Sequence, residues 1–198
     1  MKFPPDIRVP LTNHHTGQTY HLVRASEVPT GAEALARIAA ICNEPEIYEW
    51  LFRGRLSGQA YTPDMARHFL QWAGEGWAAG THFVSTVVDR DGAVAAACDI
   101  KTNTRIAEIG YWSSRNHRGV MTNAVRGLIT LATEAGFVGL FARTKPGNTR
   151  SEAVLARAGF VKVRSDPDDF IRHELSLQAN QDEPQRLPAH ERAGRNVH

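Results

Sequence analysis

Three observations in the sequence predict a mixed α/β (α+β) domain with a largely antiparallel front. Two β-rich runs, "HFVSTVV" and "AVAAACDI", flank Asp91-Gly92, a strong signal for a tight hairpin. Two strand–helix units follow, each a short apolar β-run leading into a stretch of helical period. Two further β-runs complete the pattern before the composition turns polar near residue 178.

In chain order, "MKFPPDIRVP" is broken by prolines and lacks an apolar h-region, so it is assigned neither a strand nor a signal peptide. Thr19–Ala25 alternates as a strand. Leu35, Ile38, Ala39 and Cys42 recur at helical spacing. The aromatic segment from Glu44 to Pro63 reads as a short helix with a loop, and long loops of this kind are often functional. Thr62 and Pro63 open the next helix as N-cap and first residue, with Met65, Phe69, Leu70 and Trp72 as its apolar face. "RIAEIGYW" is a third front strand. A helix from Met121 to Ala135 buries Met121, Ala124, Val125, Leu128, Ile129 and Ala132 and ends at Gly136. "GLFART" is a strand, and Thr149-x-x-Glu152 reads as the capping box of a short helix closed by Gly159. "FVKV" and "FIRHELSL" finish the sheet. The expected domain spans residues 1–177, with a disordered tail over 178–198.

Composition sets bounds. The 198 residues are 42% hydrophobic and 22% charged, enough for one ordinary core. A net charge of +2 without a basic run gives no support to nucleic-acid binding. No run reaches the roughly 20 apolar residues of a membrane span, so a soluble cytoplasmic protein is expected. Cys42 and Cys98 have no CxxC or metal-ligand spacing and read as reduced buried thiols. The pair His14-His15 lacks a third ligand, and no metal is expected.

The stretch "RNHRGVMTNAVRGLI" places Arg118 and Gly119 at the mouth of a helix. First-turn N–H groups have no intrahelical partners there, and with the helix dipole they favour an anion. A glycine allows close approach of a diphosphate to the backbone, and a basic side chain helps neutralise it. Neither a Walker loop nor a two-glycine dinucleotide fingerprint is present, which argues against a kinase or an NAD enzyme. No GxSxG elbow supports a triad hydrolase.

"AEIGYW", "RGVMTNAVRGLI" and "GNTRSEAVLARAGF", in that order, resemble the GNAT superfamily of acyl-CoA-dependent acetyltransferases. More narrowly, they are similar to its branch acting on the N-terminal amines of ribosomal proteins. The resemblance implies a GNAT-like sheet of six to seven strands with about four helices and a splay between its two central strands. It implies acetyl-CoA as cofactor. By that resemblance Tyr111 and Ser113 offer backbone groups to the pantetheine arm. His117, Arg118, Gly119, Val120, Met121 and Thr122 wrap the diphosphate, and Asn148 and Ser151 meet the arm from the next loop. The sequence departs from the family at Asn116, at His117, where a glycine is frequent, and at Leu155, where many members carry an acidic tyrosine.

Acetyl transfer to an amine needs a base, an oxyanion site and a proton for the thiolate. Glu108 is the candidate base and backbone N–H groups near Tyr111 the oxyanion site. Ser151 stands where the ribosomal-protein branch uses a serine as acid. An α-amine is about a tenth neutral at pH 7, a lysine only about 0.04%, so an unassisted site suits a protein N-terminus. Tyr48, Trp50, Phe52 and Tyr61 are candidates for shaping the acceptor pocket. Two alternatives stay open: the same chemistry on a small amine (an aminoglycoside, polyamine or amino-acid-like compound), and a non-catalytic acyl-CoA-binding module. The apolar helix faces leave room for a homodimer.

Overall fold

The computed structural model describes residues 1–165 and 169–177; the polar tail expected over 178–198 lies outside the described residues. Eight strands form one sheet: β1 (Arg8–Thr12), β2 (Thr19–Arg24), β3 (Phe83–Val88), β4 (Val94–Ile100), β5 (Ile106–Ser113), β6 (Gly139–Thr144), β7 (Val161–Ser165) and β8 (Ile171–Ser176). Their spatial order is β1-β2-β3-β4-β5-β6-β8-β7. Every pairing is antiparallel except that of β5 with β6.

The extra strand is β1, in the proline-broken start whose sequence carries no strand pattern. Pro10 lacks an N–H to give to a ladder, but β1 is an edge strand and tolerates the loss. Where about four helices are expected, the described residues form five: α1 (Ala32–Cys42), α2 (Pro45–Ile47), α3 (Pro63–Ala79), α4 (Met121–Ala135) and α5 (Thr149–Arg157). The short α2 runs directly into a π-helical turn at Tyr48–Phe52.

Local chemistry sets the ends. Thr62 accepts a hydrogen bond from Met65 N at 3.3 Å and Pro63 opens α3, as expected. Gly136, at φ 92°, takes the left-handed turn that ends α4. The start of α5 corrects the capping-box reading. Asn148, one residue before Thr149, is the cap, accepting from Ser151 N, while Glu152 pairs with Lys162 instead of reaching back.

The sheet is covered on both faces. On one, Val125 and Leu128 of α4 pack with Leu22, Ile100 and Ile109. On the other, Leu35 and Ile38 of α1 and Leu70 of α3 pack with Val23 and Val84. Two predicted faces shift slightly. Leu131 is buried in α4 where Ile129 is only partly so. In α3 the fully buried residues are Ala66, Leu70, Ala73 and Gly76, whereas Met65 and Phe69 are only partly buried and Trp72 is 43% exposed.

The expected splay falls between β5 and β6. Only Ile106, Ala107 and Glu108 pair with β6. From Ile109 to Ser113 the strand is held by β4 alone, which leaves its other edge open. Among the described residues, no helix is long and apolar enough to cross a membrane.

Candidate active site

The turn before α4 is held from outside. Gly119 has φ 99°, a left-handed conformation that suits glycine. Asn13, from the turn between β1 and β2, is buried and donates its amide to Arg118 O at 2.9 Å. His14 N donates to Gly119 O at 2.9 Å. A Cβ at Gly119 would stand 2.5 Å from Asn13 Oδ1, so conformation and space both call for glycine.

Val120, which precedes α4, makes no side-chain cap hydrogen bond, leaving the first-turn N–H groups available to an anion. Arg118 stands beside them and is joined across the gap by Arg150 of α5. Both guanidinium groups bind Glu46 Oε1, at 3.0 and 2.9 Å. Those arginines, the Arg150 contact foremost, hold the Glu46 carboxyl below its ordinary value.

A cleft of about 550 Å³ runs from this turn to the open edge of β5. Of the predicted cofactor contacts, Tyr111, Ser113, Arg118, Gly119, Met121, Asn148 and Ser151 line this turn cavity. His117, Val120 and Thr122 do not. Val120 is fully buried in the core, and Thr122 Oγ1 accepts from Arg157. His117 Nδ1 is 2.9 Å from the Tyr20 hydroxyl, and burial lowers the pKa of its ring, which favours the neutral form.

Tyr111 and Ser151 meet. The Tyr111 hydroxyl lies 2.7 Å from Ser151 Oγ and 3.0 Å from Ser151 O. It can donate to the carbonyl or to the serine oxygen. Burial pushes the phenol pKa upward, so it keeps its proton at neutral pH.

Across β5 lies a second cavity, of about 640 Å³, which shares Leu51, Tyr111 and Trp112 with the first. Its walls are mostly apolar: Phe52, Leu56, Met65, Phe69, Trp72 and Trp112. Of the loop aromatics expected to shape an acceptor pocket, Phe52 and Tyr61 line this aromatic cavity. Trp50 lines the turn cavity, and Tyr48 lines neither, its hydroxyl donating to Gln59 O.

Glu108 lines neither cavity. Its carboxylate binds Lys101 Nζ at 2.5 Å and lies 3.5 Å from Arg143 Nε. Asp99, which the sequence reading did not single out, lines the aromatic cavity. It lies on β4 opposite Gly110, and its Oδ1 is buried without a well-formed hydrogen bond. A Cβ at position 110 would come within 2.6 Å of that oxygen, so Gly110 leaves it room. Burial raises the Asp99 pKa, opposed by the Lys101 charge and the Gly110 amide. A carboxyl facing a cavity across from a neighbouring strand's glycine leaves no contiguous motif, and only the β4–β5 register brings the two together.

Cys42 and Cys98 are free and buried, and burial pushes the Cys42 thiol up to about 12. No group of three His, Cys, Asp or Glu side chains suited to a metal occurs among the described residues.

A split sheet, an uncapped glycine turn at its opening and a second cavity across the same strand suit an extended anionic ligand with a partner beside it. The sequence matches the acetyltransferase (GNAT) domain over residues 28–161, and the chain belongs to that family. No curated protein sequence matches it significantly. Solved structures of similar fold include Mycobacterium smegmatis RimJ in complex with CoA-disulfide, at 20% identity and a TM-score of 0.74, covering 87% of this chain and 88% of that one. The ribosomal-protein-S5-alanine acetyltransferase of Vibrio fischeri is similar at 19% identity and a TM-score of 0.65, covering 83% and 96%. RimL, a ribosomal L7/L12 alpha-N-protein acetyltransferase, is similar at 13% identity and a TM-score of 0.67, covering 88% and 99%.

Proposed function

We propose that the protein transfers an acetyl group from acetyl-CoA to the N-terminal α-amine of a protein. The observation that carries this reading is the meeting of two cavities at Tyr111 and Trp112, one fitted to an anionic extended ligand and one lined by the Asp99 carboxyl. The residues present fit coenzyme A. Gly119 and the first turn of α4 accept the diphosphate, with Arg118 and Arg150 beside it. The open edge of β5 over 109–113 accepts the amide-bearing arm, as a sheet edge accepts a peptide.

The bound thioester supplies an activated acetyl group. Asp99 receives the proton from the attacking amine. It takes the role expected of Glu108, because a carboxylate engaged by two cations is a poor proton acceptor, whereas Asp99 has no ion-pair partner at bonding distance among the described residues and its side chain lines the cavity. As the nitrogen–carbon bond forms and the carbon–sulfur bond breaks, Ser151 gives its proton to the thiolate. Tyr111, hydrogen-bonded to Ser151, holds that hydroxyl in place and can replace the proton. Backbone N–H groups near Tyr111 stabilise the developing oxyanion. Products are the N-acetylated amine and the free thiol.

Thiol release from acetyl-CoA across an amine panel tests the reading. Turnover with short peptides and not with aminoglycosides or polyamines is the expected result. Turnover confined to small amines moves the reaction to that class, and coenzyme binding without turnover on any amine removes the enzymatic reading.

A further inference from the structure

We propose that the aromatic cavity selects an acceptor whose α-amine is carried by a large apolar or aromatic first residue, with the ammonium meeting Asp99 and the side chain lying against Phe69, Trp72 and Trp112. This rests on the N-acetyltransferase reading above and names its acceptor.

The wall is built and held. The Phe69 ring centroid lies 6.4 Å from those of both Trp72 and Trp112, which forms a platform of three rings. Trp72 is fixed from behind by the His82 ring, stacked at 4.0 Å with an interplanar angle of 18°, while His82 Nε2 lies 3.0 Å from Trp72 O. Gly76 makes this possible, because a side chain there would overlap the His82 ring. Trp72 thus presents its free face while 43% exposed, and Leu51, which also lines the cavity, is 38% exposed. Large apolar surface left open at a cavity mouth marks a binding site, and a pre-set ring wall loses little freedom on binding.

Charge narrows the occupant. Among the described residues Asp99 is the cavity's only lining carboxyl, whereas the basic side chains of Arg55 and Lys101 also line it. One ammonium finds one acid there, and a polyamine or aminoglycoside would bring its remaining charges against the two cations. Size points the same way. A cavity of about 640 Å³ holds an aromatic side chain and the first peptide units, but a methyl or hydroxymethyl group would leave the three rings wet.

The test uses the full chain, acetyl-CoA and peptides identical except for the first residue: Phe, Leu, Ala or Ser. The expected kcat/KM for Phe and Leu peptides exceeds that for Ala and Ser by about tenfold or more, mainly through KM. Equal or reversed rates overturn the inference while the N-acetyltransferase reading stands. If no peptide turns over, quenching of tryptophan fluorescence in the coenzyme A-loaded protein measures peptide binding instead. Tighter binding of the Phe peptide then upholds the cavity assignment although the enzymatic reading fails, and no preference overturns it. Trp72→Ala should bring the Phe-to-Ala ratio towards one and Trp72→Phe should retain it, with circular dichroism checking the fold. A ratio unchanged in Trp72→Ala overturns the platform.

Discussion

The turn cavity takes much of its lining from one stretch, residues 111–121, and from the start of α5. The aromatic cavity takes a few side chains each from α3, the π-helical turn, β4 and β5. In the proposed reaction the first works through the main chain, where a left-handed glycine and uncapped N–H groups would do the holding, so few side chains there are irreplaceable. The second would work through side-chain identity, where one carboxyl and three rings set what fits. Recognition of a common coenzyme and of a particular acceptor are therefore separable by mutation.

The largest separation is expected at Asp99. Asp99→Asn should lower kcat by about 10²–10⁴ and leave coenzyme A affinity, read by calorimetry, unchanged; Glu108→Gln should cost far less. Because burial raises the Asp99 pKa, the acid is the form the fold prefers. Its contribution to stability is full below the ordinary carboxylate value of about 4 and is lost as pH rises through the folded value. The charged form costs stability at neutral pH, so Asp99→Asn should raise stability there by about 0.5–2 kcal/mol, read as a higher Tm. In the active enzyme, kcat/KM should fall as pH drops through that raised value. Lys101, Glu108 and His82, which also act on the group, tune where the fall occurs. A variant that lost activity together with coenzyme binding would break the division between the cavities.

Gly110→Ala comes next. Its methyl must displace the Asp99 carboxyl, and a displacement near 1 Å costs about 10²-fold in rate with the coenzyme side untouched. The converse variant is Gly119→Val, which combines a φ of 99° with contact on Asn13. Strain of about 1–3 kcal/mol should weaken coenzyme A binding by roughly ten- to a hundredfold, while the rate at saturating acetyl-CoA changes much less. Smallest is Glu46→Gln. It releases Arg118 and Arg150 from a competing carboxylate and should tighten coenzyme A binding a few-fold at most, more visibly at low salt. Weaker binding instead would mean that Glu46 holds the two arginines in their useful positions.

The same division explains what the sequence could tell. Gly119, Asn148 and Ser151 stand in contiguous motifs because their work depends on turns and helix starts, which are local. Seven of the eight strands carry their own β-patterns and turn signals. The exception is β1, whose five residues around Pro10 gain their pairing only from β2. Asp99 was invisible because nothing near it in the chain marks a carboxyl beside an open cavity. Met65, Phe69 and Trp72 show the other limit. Their helical spacing correctly predicts one face of α3, but periodicity cannot tell a face packed in the core from one that walls a cavity. Glu108 drew notice as an acid in a recognised strand, and only the fold shows that Lys101 and Arg143 engage it.

Asn13 lies outside residues 28–161, the span that matches the family. Yet this single buried amide ties the amino-terminal hairpin to Arg118, 105 positions along the chain. A protein trimmed to the matched span would keep every recognisable motif and lose the strut under the turn at Gly119.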